Sequence, residues 1–196
     1  MRRLIGICAG VAALLAGCSG GGSEPGGRSS PDATALLTSA SAEPTYPNAR
    51  PGEKPPVRPA DALSNAGAEA FAKYFMQTVD WAYASMDSTL MRTAFDPATC
   101  NYCNTAADRT DRDKAAGKRY EGGRSTILDV ASANGADVRD NLVLVVFDAT
   151  PLRVYDSQAN LIEDNDAERM LQFNVRVHFR DGAWVVVEVK RIVSGS

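Results

Sequence analysis

A single histidine, His178, serves all 196 residues, so a histidine-based triad or a multi-histidine metal site would have to be built around that one ring. Positive charge is in deficit, 21 Lys plus Arg against 24 Asp plus Glu for a net charge of −3, which argues against nucleic acid as a partner. No apolar run reaches the ~20 residues that span a bilayer as a helix. Cysteine is scarce, with four in all, and only Pro97 and Pro151 of the ten prolines fall outside residues 19–60. A chain of this length has room for one domain.

What is present begins at the N-terminus. Arg2 and Arg3 precede an apolar stretch, Leu4 to Leu15, that ends in Leu15-Ala16-Gly17-Cys18. A positive flank, a short apolar centre and a small-residue exit make residues 1–17 a secretory signal. The segment resembles a bacterial lipoprotein signal with its lipobox, which implies diacylglycerol on the Cys18 sulfur, cleavage before Cys18 and acylation of the new amino group. At about 0.8 kcal/mol per buried methylene, two or more chains would hold the protein on the outer face of the cell membrane. Loss of the two charges of Arg2 and Arg3 would take the mature chain from −3 to −5. Arginine outnumbers lysine and alanine is abundant, the bias of a GC-rich genome, which hints at an actinobacterium.

Residues 18–60 hold most of the proline together with Gly20-Gly21-Gly22 and several serines, the composition of a disordered tether. A flexible coil of about 42 residues reaches roughly 35 Å. The folded domain is expected over 61–196. Cys8 leaves with the signal and Cys18 with the lipid, so Cys100 and Cys103 remain, and outside the membrane a disulfide is their default state. A loop this small contributes only about 2 kcal/mol. Redox and metal roles for the pair are weaker alternatives, and no cofactor or metal is expected.

From Ser64 the apolar residues Ala68, Phe71, Phe75, Val79, Ala82 and Met86 recur at helical spacing, with Ser64 or Asn65 as cap and Glu69, Lys73, Gln77 and Asp80 on a solvated side. A short helix from about Ser88 to Phe95, capped by Asp87 or Ser88, and a polar one from Thr105 to Ala116, ending at Gly117, follow. The alternating charges from Asp108 to Lys114 read as exposed. Period-two segments then mark strands at Ser125 to Ala133, Asn141 to Ala149, Leu152 to Tyr155, Met170 to Arg180 and Ala183 to Val193. Asn134-Gly135 and Asp181-Gly182 supply turns, Pro151 a bulge or edge, and Gly122-Gly123 a bulge into the first strand. Glu163 to Glu168 lacks the glycine and distant glutamate of a calcium loop and reads as a solvated connection. Helices first and an antiparallel sheet afterwards make an α+β domain.

The last hairpin admits two registers. A two-residue loop at Asp181-Gly182 would set Val175 against Glu188 and Phe173 against Lys190. A three-residue loop, Arg180-Asp181-Gly182, instead sets Phe173, Val175, Val177 and Phe179 against Val189, Val187, Val185 and Ala183. The second keeps charge out of the core and is the expected register. It places Trp184, Val186 and Ile192, with Arg176 and His178, on the face away from the helices, a partly apolar patch suited to a homodimer or an envelope protein partner. Tyr74 and Tyr83, at the margins of the first helix's stripe, are candidates to line a pocket for a small apolar ligand.

The order of these elements resembles the nuclear-transport-factor-two-like fold of ketosteroid isomerases and SnoaL-like cyclases. That resemblance implies three N-terminal helices packed on one curved antiparallel sheet, a cone-like, cystatin-like roll. More narrowly, Glu53-Lys54-Pro55, Gly67-Ala68-Glu69-Ala70-Phe71, Trp81-Ala82-Tyr83-Ala84, Cys100-Asn101-Tyr102-Cys103 and Tyr120-Glu121-Gly122-Gly123 resemble an uncharacterised family of actinobacterial lipoproteins with a domain of unknown function. The resemblance implies no reaction. The function expected is therefore that of a membrane-tethered, extracytoplasmic binding or accessory module. The alternatives are a small pocket enzyme of isomerase or cyclase type and a structural part of an envelope complex.

Overall fold

The computed structural model describes residues 48–50, 52–133 and 137–193. The chain divides into two units, Met1–Ala42 and Glu43–Ser196. The signal segment, Cys18 and the Asn134-Gly135 turn lie outside the described residues.

Helix α1, Asn65–Ser85, buries Ala68, Phe71, Ala72, Phe75, Val79 and Ala82 along one stripe. Ser64 caps it, its hydroxyl accepting from the Gly67 amide at 3.1 Å. Gly67 is obligatory, since a Cβ there would sit 1.9 Å from the Ala62 carbonyl oxygen. The helix ends at Met86, left-handed at φ 54°, whose N–H returns to the Ala82 carbonyl. Helix α2, Thr89–Arg92, is a single turn started by Asp87, whose carboxylate accepts from the Thr89 amide at 2.8 Å. Helix α3, Asn101–Ala115, starts four residues before the expected Thr105 and puts Cys103 in its first turn. It stops at Gly117.

Among the described residues seven strands form two antiparallel sheets, which corrects the expectation of three helices on a single curved sheet. The larger sheet has the order β2-β3-β6-β7, from Ser125–Ser132, Asp140–Ala149, Glu168–Arg180 and Ala183–Ile192. The smaller has the order β1-β4-β5, from Arg119–Gly122, Leu152–Tyr155 and Leu161–Asn165. Pro151 is the physical reason. It turns the chain out of the larger sheet after Ala149, so that Leu152–Tyr155 pairs with β1 and β5. The class is still broadly α+β, but α2 gives the core only Met91, β1 was assigned to no element, and the end of β5 falls in the stretch from Glu163 expected to be a solvated connection.

The hairpin register is corrected too. Asp181 at φ 53° and Gly182 at φ 82° make a two-residue turn with both central residues left-handed, so Arg180 faces Ala183, Phe179 faces Trp184 and Val177 faces Val186. The register then shifts between Arg176 and Val177, after which Arg176 faces Glu188 and Val175 faces Val189. An irregularity within the strand, rather than a longer loop, keeps Glu188 from opposing Val175.

Segment 52–60 is packed on this domain, so the expected tether ends before residue 60. Asn48 donates from its amide to the Ala84 carbonyl and from its side chain to the Gly122 carbonyl. The Arg58 guanidinium stacks 4.5 Å over the Phe71 ring and donates to the Trp184 carbonyl at 2.7 Å. Both outer edges of the larger sheet carry partners. Ser125 and Ser132 at the ends of β2 donate their amides to Asp80 and Glu69 of α1, and Val186 of β7 exchanges backbone bonds with Ala94 and Asp96.

Candidate functional site

Asp80, expected to be solvated, is a structural partner. Its carboxylate accepts from Arg124 Nη2 at 2.6 Å and Nε at 3.1 Å. The same guanidinium donates to Glu53 through Nη1 at 2.9 Å and to the Asn48 carbonyl at 3.0 Å. Arg124 is 4% exposed. Its bond holds the Glu53 carboxyl below the ordinary range despite partial burial. Burial works against the charge on Arg124 itself, but Glu53 and Asp80 outweigh it and raise its pKa. The latch ties segment 50–57 to α1 and to the entry of β2.

Between those three elements lies a cavity of about 440 Å³. Its apolar wall is Pro56, Val57, Met76, Trp81 and Ile127, and Arg50, Lys54 and Lys73 bring charge to it. A second hollow of about 310 Å³ continues between α1 and β2, sharing Lys73 and Ile127 with the first and ending at the half-exposed Leu128. Such volumes are those of small-ligand sites.

The residues singled out from sequence are scattered. Tyr74 is buried in the main core beside Phe71. Tyr83 does line a cavity of about 440 Å³, with Thr150, Leu152, Asn165, Glu168 and Arg191, and burial pushes its pKa up. Trp184 and Val186, expected on an exposed interface, are 1% and 0% exposed. The observed register turns both toward α1 and segment 58–62, where the indole N–H donates to the Ala62 carbonyl at 2.9 Å and the backbone N–H to Asp61. Arg176 and His178 stay on the outer face without them. Arg176 donates to Asp140 at 2.7 Å, and His178 Nε2 lies 3.0 Å from the same carboxylate without hydrogen-bond alignment. The patch that was to unite these four residues is therefore not one surface.

Cys100 and Cys103 lie at disulfide distance, Cα to Cα 5.2 Å, and are 1% and 0% exposed. They sit at the start of α3, with Cys100 as its N-cap. Asp113, in the stretch expected to be exposed, is buried and accepts from the Tyr120 hydroxyl at 2.5 Å and from Lys118 at 2.8 Å. Burial opposes its ionisation, but these bonds prevail and depress its pKa. Arg109 of α3 reaches Glu163 of β5 at 2.8 Å, so the expected solvated connection is anchored. Among the described residues no cluster of His, Cys, Asp and Glu could hold a metal ion, and no helix is long and apolar enough to cross a membrane.

Sequence reasoning missed the latch altogether. Glu53 and Arg124 are 71 residues apart, and a solitary arginine at a strand entry carries no local signal of a distant partner.

A family model described as a family of unknown function, DUF6318, matches residues 50–190. Comparison with curated proteins finds no match. Among solved structures, the chain is similar to the intermembrane space region of the chloroplast protein ARC6, at 15% identity and TM-score 0.49, covering 68% of this chain and 99% of that one. It is similar to the association domain of C. elegans CaMKII at 18% identity and TM-score 0.41, covering 66% and 98%. It is also similar to a protein of unknown function from Nostoc punctiforme described as having a cystatin-like fold, at 9% identity and TM-score 0.31, covering 61% and 86%.

Proposed function

We propose, from the premise that this chain belongs to the DUF6318 family of unknown function, that it is a membrane-tethered extracytoplasmic module that binds a small ligand with an apolar body. The observation that carries the binding part is the latched groove, a hollow of about 440 Å³ with one apolar wall and a polar, charged remainder, whose outer side, residues 52–57, is fixed to α1 and β2 by Arg124. Val57 supports it. At 88% exposed it is the most exposed large apolar side chain among the described residues, and it stands on the rim of that hollow. An apolar residue left in water at the mouth of a concave site is what a ligand would cover. The anchoring part rests on Leu15-Ala16-Gly17-Cys18.

Two measurements test the two parts. Cys18→Ser should abolish fatty-acid labelling and release the protein from the membrane fraction; a variant that labels and fractionates like wild type refutes the anchor. The neutral fluorophore N-phenyl-1-naphthylamine should brighten on the wild-type domain and do so far less on Val57→Asp, which alters an exposed side chain and leaves the melting temperature in place. Equal brightening on both proteins, or none on either, refutes the groove as the binding site.

A further inference from the structure

Charge is distributed unevenly over this acidic protein. Among the described residues every lysine and arginine carries an ion pair except Arg50, Lys54, Lys73, Arg112 and Arg139, and three of these five line the first hollow. The acids of the same hollow are committed. Glu53 and Asp80 accept from Arg124, and Asp80 also accepts from the Ser125 amide. The hollow thus presents Lys54 and Lys73 without a paired carboxylate, and Arg50 acting on Glu53 only through its backbone N–H and at a distance, while the acids beside them are already bound by Arg124. Its continuation is different in kind. Beyond Lys73 the groove runs between α1 and β2 past Ile127, Leu128 and Val130, and of its two acids Glu69 is tied to the Ser132 amide and Asp129 accepts from the Val130 amide.

An elongated site with cations at one end and aliphatic side chains along the other has a definite complement. We propose that the ligand is a single-chain anionic amphiphile, its acidic head at Lys54, Lys73 and Arg50 and its alkyl body laid along Ile127 and Leu128. The inference rests on the groove being a binding site and adds the chemistry of its occupant. A compact anion such as inorganic phosphate would leave the aliphatic end empty. A neutral chain would leave the three cations unanswered. Exposed ion pairs are each weak and screened by salt, so two or three of them favour the anion over a neutral isostere by about tenfold at low ionic strength.

The test is displacement of N-phenyl-1-naphthylamine from the wild-type domain by dodecanoate, dodecanol and dodecyltrimethylammonium, each below its micelle concentration. Dodecanoate should compete about tenfold better than dodecanol, and the cation least. The advantage should shrink as salt is raised and vanish in the exposed-site double variant Lys54→Gln/Lys73→Gln, with its melting temperature unchanged. Leu128→Asn should instead reduce the gain from octanoate to dodecanoate while leaving the anion preference. If the dye binds but dodecanoate and dodecanol displace it equally, the anionic head is wrong and the binding module stands. If dodecanoate wins equally well in the double variant, the head sits elsewhere and the proposal is overturned. If neither the dye nor dodecanoate binds, the groove reading falls with it.

Discussion

Replacing Arg124 with methionine removes the charge on which segment 50–57, α1 and β2 converge while keeping an unbranched apolar stem in its place. Arg124 is 4% exposed, and loss of its guanidinium takes the charged partner from two carboxylates, Glu53 and Asp80, whose side chains are 22% and 14% exposed, and a donor from the Asn48 carbonyl. Breaking one partner of a buried ion pair costs about 3–5 kcal/mol, and the water that reaches both carboxylates places this case at the lower end, about 3 kcal/mol at pH 7. The pH dependence is the sharper signature. The Glu53 pKa is held below its ordinary 4.5, so its contribution to wild-type stability is complete above that value and is lost as pH falls through the depressed one. Without Arg124 that dependence disappears, and protonation of Glu53 instead relieves a carboxylate left without its cation. The gap between wild type and Arg124→Met, measured by urea denaturation at a series of pH values, should therefore narrow steadily below about pH 4.5. A gap under about 1 kcal/mol at pH 7, or one that stays constant down to pH 3, would refute the latch.

Three further outcomes follow from the placement of other side chains. Trp184→Ala should lower stability by about 3–5 kcal/mol in a denaturant titration, as for any fully buried tryptophan, and a loss under about 1 kcal/mol would return this residue to the surface. Tyr120→Phe removes a hydrogen bond to a buried carboxylate and should cost about 1.5–3 kcal/mol at neutral pH. Because Asp113 then loses part of what depresses its pKa, the acid-induced loss of stability should be shallower in this variant, and an unchanged acid limb would count against the pairing. Alkylation of unreduced protein should leave both Cys100 and Cys103 unmodified by mass spectrometry, whereas two modified thiols would reopen redox and metal chemistry.

The amphipathic elements were legible because burial imposes a period on sequence. The stripe from Ala68 to Ala82 marked α1, and the alternations around Val143, Val175 and Val189 marked the three longest strands, β3, β6 and β7. β1 and β5 left no such mark. Arg119–Gly122 offers only Tyr120 to a core, and Leu161 and Ile162 of β5 are both about half exposed. These strands exist because Leu152–Tyr155, expelled by Pro151, needs partners on either side. In the hairpin the premise that charge cannot enter the core was sound, but an irregular strand satisfies it as well as a longer loop does, and pattern alone does not choose between them. The candidate site was the least legible part. Asp80 looks solvated on a helical wheel, and only the folded chain brings Arg124 and Glu53 to it.

The two carboxylates that reach from α1 to β2 have a consequence for the protein's behaviour among its own copies. An outer strand with open amides is a template for another strand, whether from a second molecule or from an unfolded neighbour. Here the amides of Ser125 and Ser132, at the two ends of that strand, are already occupied by acids at fixed positions on the helix, and an approaching backbone would have to displace a charged group at each end. Glu69 and Asp80 thereby close that edge at both ends, and Glu69→Ala, which frees the Ser132 amide without touching the Arg124 latch, should first reveal itself as slow fibril growth on storage at high concentration rather than as lost ellipticity.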